Sequence, residues 1–434
     1  MRTQVAPAIV AKPEAPGKSP VAYWLMVVFS FLYYFRPSDI IPGLGHLHMA
    51  RITAILVVLA LLTGTRKVKL NKLPAEVKII FAMFVWMVLT IPFAFWKAGS
   101  FVMVFFEFSK AVMVAYTLTL TVTRMSEVRR LILMQALGVA LMTVAAVIVN
   151  NRMQGRLAGV GDALLSNPND LAMNVSLNWP LCLVFLLMSR KPLVKIFWGF
   201  SMLVMIYAVM QTYSRAGFMA LAIAMVVCLW DFGIRGRRGY LIAIALVCGV
   251  LAVAVAPGNY LKRLETLVGR YQEGDLDRGS AQARRELLIL SLKVTAHHPV
   301  FGIGPGNFPS YTGLWHVTHN TYTQFSSECG VVVMILFLML LWRAFKNLRF
   351  LRKIPRAREN EEWNFYASAL FASFAAYVIG AFFSSSAYEL FPYYMVMYTS
   401  MLYRLASVPR EGEVTTVKTP IRLRARVYSP AGRA

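Results

Sequence analysis

The chain has 434 residues, of which 58% are hydrophobic and only 15% charged. That balance excludes a soluble domain of this length, whose surface needs more charge. The formal net charge of +25 would suit nucleic acid, but the positions of the basic residues tie it to membrane topology instead.

Residues 1–19 are polar and contain prolines, which predicts a disordered cytoplasmic tail. The first apolar run, "PVAYWLMVVFSFLYYF" from Pro20, lacks a small-residue cleavage site and ends in bulky aromatics. It reads as an uncleaved first span rather than a signal peptide. Apolar runs then recur, each long enough to cross a bilayer core of about 30 Å. Hydropathy predicts about twelve spans, near 20–35, 49–64, 78–96, 100–121, 130–150, 171–188, 194–211, 216–233, 239–256, 325–343, 364–386 and 389–406. Helix is the expected state, because lipid offers the backbone no hydrogen-bond partner and no segment alternates like a barrel strand. The expected fold is therefore an all-α polytopic membrane protein. Spans one to nine fill 20–256, a long loop domain fills 257–324, spans ten to twelve fill 325–406, and a basic tail occupies 407–434.

With a cytoplasmic N-terminus, most of the 45 Lys and Arg residues fall in the two tails and in the loops "TRKVKLNK", "TRMSEVRR", "SRKPLVK", "GIRGRRG" and "RAFKNLRFLRKIPRAR". All of these are then cytoplasmic, as the positive-inside rule requires. Basic cytoplasmic loops facing anionic lipid need no nucleic acid to explain them. The long loop between spans nine and ten lies outside. From Ser280 to about His297 its pattern is helical, with Leu287, Leu288, Leu292 and Val294 on or near one face. Such a helix would lie on the membrane surface or cap a cavity. Gly274, Asp275, Asp277 and Gly279 before it read as a turn. Cys182, Cys228 and Cys248 sit inside apolar runs and Cys329 at the start of one, with no metal-ligand spacing, which predicts neither disulfide nor zinc.

Four polar clusters fall at the outer face. "NRMQGRLAGVGDALLSNPND" carries Arg152, Arg156 and a helix-capping Asn167-Pro168-Asn169. "QTYSRAGFMA" places Arg215 between two apolar runs with almost no loop. A charge there either anchors at the interface or aims a guanidinium into a polar cavity, where it could grip phosphate in a two-pronged fork. "ARRELLILSLKVTAHHPVFGIGPGNF" carries Arg284, Arg285 and a glycine-rich run that follows no strand, so it is neither a P-loop nor a dinucleotide fingerprint. "HVTHNTYTQFSSECG" gathers His316, His319, Asn320 and Glu328 at the mouth of span ten. Histidine is the side chain best suited to take a proton near neutral pH. Within span four, Glu107 and Lys110 are spaced to pair on one helix face, as a structural or a functional ion pair.

Arginines suit a diphosphate, and a histidine suits deprotonating a hydroxyl. Together, beside a lipid phase, they suit transfer of a group from a lipid-linked pyrophosphate to an alcohol. No carboxylate pair of the glycosidase kind and no Asp-x-Asp or His/Glu metal cluster appears at the outer face.

The residues "SRAG" (214–217), "R…HHPVFGIGPGNF" (Arg284 to Phe308) and His319-Asn320 followed by Gly330 resemble the O-antigen ligase and polymerase superfamily. The motifs cover about residues 150–345; elsewhere the likeness is one of topology. Two positions depart from the ligase pattern: Val333 replaces the second glycine of Gly-x-x-Gly, and Leu288 stands where the loop helix usually has tryptophan. The resemblance implies a multi-pass enzyme of the bacterial inner membrane, with cytoplasmic termini and a large periplasmic loop. It implies that Arg215 and Arg284 contact undecaprenyl pyrophosphate and that His319 is the base. Arg156 is added to the pyrophosphate set, with Asn320, Glu328, His316, Arg285 and Asn169 in support. The expected chemistry is inverting, metal-independent and cofactor-free glycosyl transfer. The expected acceptor is lipid A core, the ligase reaction. A second lipid-linked repeat (polymerase) or a protein hydroxyl is the alternative. A twelve-span transporter is the rival of another class; it would show related halves and broken mid-membrane helices, which the sequence lacks.

Overall fold

The computed structural model describes residues 20–41, 43–44, 47–64, 72–160, 167–243, 275–314, 316–354 and 361–407. Helices occupy eleven of the predicted spans: α1 (Pro20–Phe35), α2 (Met49–Thr63), α3 (Ala75–Thr90), α4 (Lys97–Thr121), α5 (Met125–Val149), α6 (Pro168–Met188), α7 (Pro192–Gln211), α8 (Arg215–Arg235), α10 (Thr321–Leu351), α11 (Glu361–Gly380) and α12 (Leu390–Ser407). Seven helices of the described residues (α3 to α8, and α10) are long and apolar enough to cross a membrane. The chain is thus an all-α multi-pass membrane protein. Its one piece of sheet among the described residues is a two-residue hairpin, β1 (Arg152–Met153) against β2 (Arg156–Leu157). Of the predicted span at 239–256, residues 239–243 are helical and 244–256 lie outside the described residues.

The central helix is α6, where every side chain from Leu171 to Phe185 is buried. It packs on α5, α7, α8 and α11. Buried polar side chains stitch it to its neighbours, since an amide in apolar surroundings must find a partner. Gln135 on α5 donates to Asn178 Oδ1 (2.8 Å) and accepts from the Tyr398 hydroxyl on α12 (2.9 Å). Gly217 on α8 lies so close to α6 that a Cβ there would strike Ala172. At one end of the bundle Glu76 of α3 is buried, accepting from Arg343 Nε (3.1 Å) and Asn347 Nδ2 (3.0 Å) of α10 and from Ser400 Oγ of α12 (3.1 Å). At the same end Asp231 pairs with Arg352.

The opposite end carries the long-loop helix, α9 (Asp275–His297). The described helix covers Asp275–His297, so residues 275–279, expected to turn, are helical. The buried face of α9 is Leu287, Ser291 and Val294, packed with Ile303 and Phe308. Leu292 is 51% exposed, on the other side of the helix.

α10 is broken at Gly330, whose backbone (φ 83°, ψ 166°) is not helical. The break frees carbonyls that a continuous helix would use, and the segment after α9 satisfies them. Ile303 N donates to Ser327 O (3.0 Å), Gly304 N to Glu328 O (2.8 Å), and Val331 N to Pro299 O (2.8 Å). Non-helical backbone inside a bundle survives only where its polar groups are paired in this way. The glycines of "GIGPGNF" follow from the pairing: a Cβ on Gly302 would strike the Glu328 backbone.

Candidate active site

Thr318, His319 and Asn320 form the turn that enters α10. The Asn320 side chain caps the helix, accepting from Tyr322 N (3.0 Å) and Thr323 N (3.1 Å). His319 has φ 52°, in the left-handed region, at a cost of order 1 kcal/mol for a non-glycine residue. That conformation turns the half-buried imidazole away from the helix axis and into a cavity of about 340 Å³.

Arg215 enters the same cavity from the start of α8. Ser214 caps this helix, its Oγ accepting from Gly217 N (3.3 Å). A guanidinium at a helix N-terminus adds to the positive end of the helix dipole, so the site attracts anions. From α9 come Arg284, half-buried, and Arg285, exposed at the rim. Burial, and then the charge of the neighbouring Arg215, push the Arg284 guanidinium below its usual range. Two guanidiniums on one cavity give it a positive potential.

Burial also pushes His319 down to about 4, assisted by the charge of Arg284 and then by His316. At neutral pH its imidazole is therefore uncharged and has a lone pair free to accept a proton. Among the described residues that line the cavity there is no carboxylate; the other wall is apolar, built from Met219, Leu288, Phe382 and Phe383.

The remaining sequence candidates lie around this cavity rather than in it. The Arg156 guanidinium donates to Thr212 O (2.8 Å) and to Asn169 Oδ1 (2.7 Å), so it braces the turn just ahead of Arg215. Asn169 acts through the same brace, and Asn167 caps α6 by accepting from Asn169 N (2.8 Å). Glu328 faces away from His319. Its carboxylate accepts from Gly306 N (2.9 Å), Phe308 N (3.4 Å) and the Tyr388 hydroxyl (2.6 Å), anchoring the glycine-rich segment. His316 is exposed and reaches His319 through its charge. Glu107 and Lys110 pair with each other on α4 at 2.6 Å and do not line the cavity. Of the two departures from the ligase pattern, Leu288 forms part of the apolar wall and Val333 is fully buried in the bundle.

Sequence reasoning misses one element altogether. Residues 381–386, "AFFSSS", belong by hydropathy to the eleventh span, yet α11 ends at Gly380 and these residues form a turn. The turn puts Phe382 and Phe383 into the cavity wall and three serines behind it. The legible signal is the serine triplet, which sits poorly inside a lipid-facing helix.

Residues 200–338 match the family model described as O-antigen ligase. No curated protein matches the chain.

Proposed function

We propose that the chain, whose residues 200–338 match the O-antigen ligase family model, transfers a glycan from undecaprenyl pyrophosphate to an acceptor hydroxyl at the periplasmic face of the bacterial inner membrane. The observation that carries this reading is the cavity itself: Arg215 and Arg284 beside an uncharged His319, backed by an apolar wall. A diphosphate fits the arginines, and the start of its lipid chain fits Met219, Leu288, Phe382 and Phe383.

In this mechanism the arginines grip the pyrophosphate from one side. The acceptor hydroxyl approaches the anomeric carbon from the other, its proton passing to His319 as the new C–O bond forms. The bond from the anomeric carbon to the pyrophosphate breaks, configuration inverts, and the charge left on the pyrophosphate is stabilised by Arg215 and Arg284 rather than by a metal ion. Arg285 adds positive potential at the rim. Arg156, with Asn169, holds the turn that presents Arg215. The His319-Asn320 pair favours lipid A core as acceptor, the ligase reaction.

Charge coupling between the arginines and His319 makes a testable pH signature. The neutral imidazole is the active form, so activity rises as pH climbs through its pKa. In the free enzyme that pKa is about 4, and kcat/KM for the donor should fall only below that pH. A bound pyrophosphate offsets the arginine charges and raises the His319 pKa. The acid limb of kcat at saturating donor is therefore expected at higher pH than the limb of kcat/KM. Arg284→Gln removes one of the charges that depress His319, and should move the free-enzyme limb upward as well. Rate profiles of purified protein in lipid nanodiscs check this. Limbs that coincide, and that Arg284→Gln leaves in place, would refute the coupling of arginines to base.

A further inference from the structure

We propose that the turn between α11 and α12, residues 381–386, is a positioning element for His319, acting through the hydroxyls of the two threonines that flank it. The inference rests on the assignment of His319 as the base. His319 lies outside α10 and in the left-handed region, so the helix itself does not fix its direction. Its neighbours do. Thr318 is buried, and its Oγ1 donates across His319 to Asn320 O (3.0 Å) while lying 3.2 Å from Ser385 Oγ. Thr321 is buried on the other side: its N donates to Ala381 O (2.8 Å) and its Oγ1 to Ser384 O (2.6 Å). Ser386 N donates back to Thr321 Oγ1 (3.1 Å), and Ser386 Oγ lies 3.1 Å from the Tyr377 hydroxyl, which ties the turn to α11.

The backbone that carries His319 is thus held by Thr318 and Thr321, both strapped to one turn. That turn also supplies Phe382 and Phe383 to the cavity wall, so His319 and the apolar wall share a single support. A displacement of about 1 Å at a reacting group can cost about 10²-fold in rate. Thr318 lines the cavity beside His319, whereas Thr321, Ser384, Ser385 and Ser386 do not, so these four affect the chemical step only through the groups they hold.

Three variants in lipid nanodiscs, assayed with a glycan-bearing polyprenyl pyrophosphate and acceptor, test the proposal. Thr318→Val keeps the shape and removes the hydroxyl. It is expected to lower kcat about 10- to 100-fold with donor KM within about twofold. Thr318→Ser restores the hydroxyl and should recover kcat to within about threefold. Ser385→Ala removes only the link to the turn and should lower kcat about three- to tenfold. A purely structural role would instead lower the folded fraction, with the surviving enzyme keeping its kcat. Wild-type kcat in Thr318→Val, or a loss that serine fails to rescue, overturns the proposal. If Thr318→Val does not fold, wild-type kcat in Ser385→Ala overturns it alone. His319→Ala separates the two layers: normal turnover there sinks the base assignment itself, whereas an inactive His319→Ala beside a fully active Thr318→Val sinks only the positioning.

Discussion

Replacing His319 with alanine is expected to cut glycan transfer about 10²–10⁴-fold, the range that general-base help supplies, while donor KM stays within about twofold. The split follows from the cavity. In the proposed reaction the pyrophosphate grip falls to Arg215 and Arg284, on α8 and α9, while the imidazole belongs to the turn that enters α10. Removing the ring leaves the arginines and their supports untouched: Ser214 still caps α8 and Arg156 still braces Thr212. The acceptor oxygen loses the group that takes its proton, and only the transition state is affected. The imidazole is uncharged at neutral pH, so its loss gives donor binding no electrostatic reason to weaken. Turnover of purified His319→Ala, measured beside wild type at several donor concentrations, reads both constants.

The largest structural effect is expected at Gly330. Its φ of 83° with ψ of 166° is a region that glycine alone occupies readily. A Cβ there would land on the Val300 carbonyl oxygen and lie 3.1 Å from Pro299 O. Gly330→Val must therefore push the 299–304 segment off α10. Backbone strain of about 1–3 kcal/mol is joined by loss of the pairing from Val331, Ile303 and Gly304, each bond worth about 1 kcal/mol and more when its partners stay buried. The variant should be recovered mostly as misfolded or aggregated protein, with any folded fraction melting well below wild type. Gly313→Ala is the control: φ is 68° there too, but the added carbon meets nothing within 4 Å. It should fold, with a small loss of stability. Size-exclusion profiles and thermal unfolding in detergent compare the two, and a Gly330→Val protein that melts with wild type would show that the paired break in α10 is not needed.

What could be read from the chain and what could not divides along physical lines. Long apolar runs locate helices because lipid leaves the backbone no other choice. Their ends are another matter. α10 runs to Leu351 instead of stopping near residue 343, because Arg343 and Asn347 find Glu76, a partner 267 and 271 residues away in sequence. The eleventh span is overextended for the reverse reason: hydropathy counts Phe382 and Phe383 as lipid-facing, whereas they wall a cavity. That Arg215, Arg284 and His319 share a cavity is legible in part, because an arginine at a span boundary and a histidine beside a helix cap need a reason to be there. Arg156 and Glu328 carry equally conspicuous charges, and their bonding partners include a carbonyl, an amide oxygen, two backbone N–H groups and a tyrosine hydroxyl. Nothing in a linear pattern separates a charge that meets a ligand from one that ties two turns together. The glycines at 302 and 330 show the same limit: each is needed for a close backbone contact that exists only in the folded chain.

The central claim is that one cavity grips a lipid pyrophosphate and passes its glycan to a hydroxyl. The most direct measurement follows both products at once. Purified protein in proteoliposomes is given a glycan-bearing undecaprenyl pyrophosphate and lipid A core, and both the glycosylated acceptor and the released undecaprenyl pyrophosphate are quantified. Equal amounts of the two, with the anomeric configuration inverted and both products lost in Arg215→Ala and His319→Ala, are predicted. Donor that merely changes leaflet with its glycan still attached, and no undecaprenyl pyrophosphate set free, would contradict the account and point to transport.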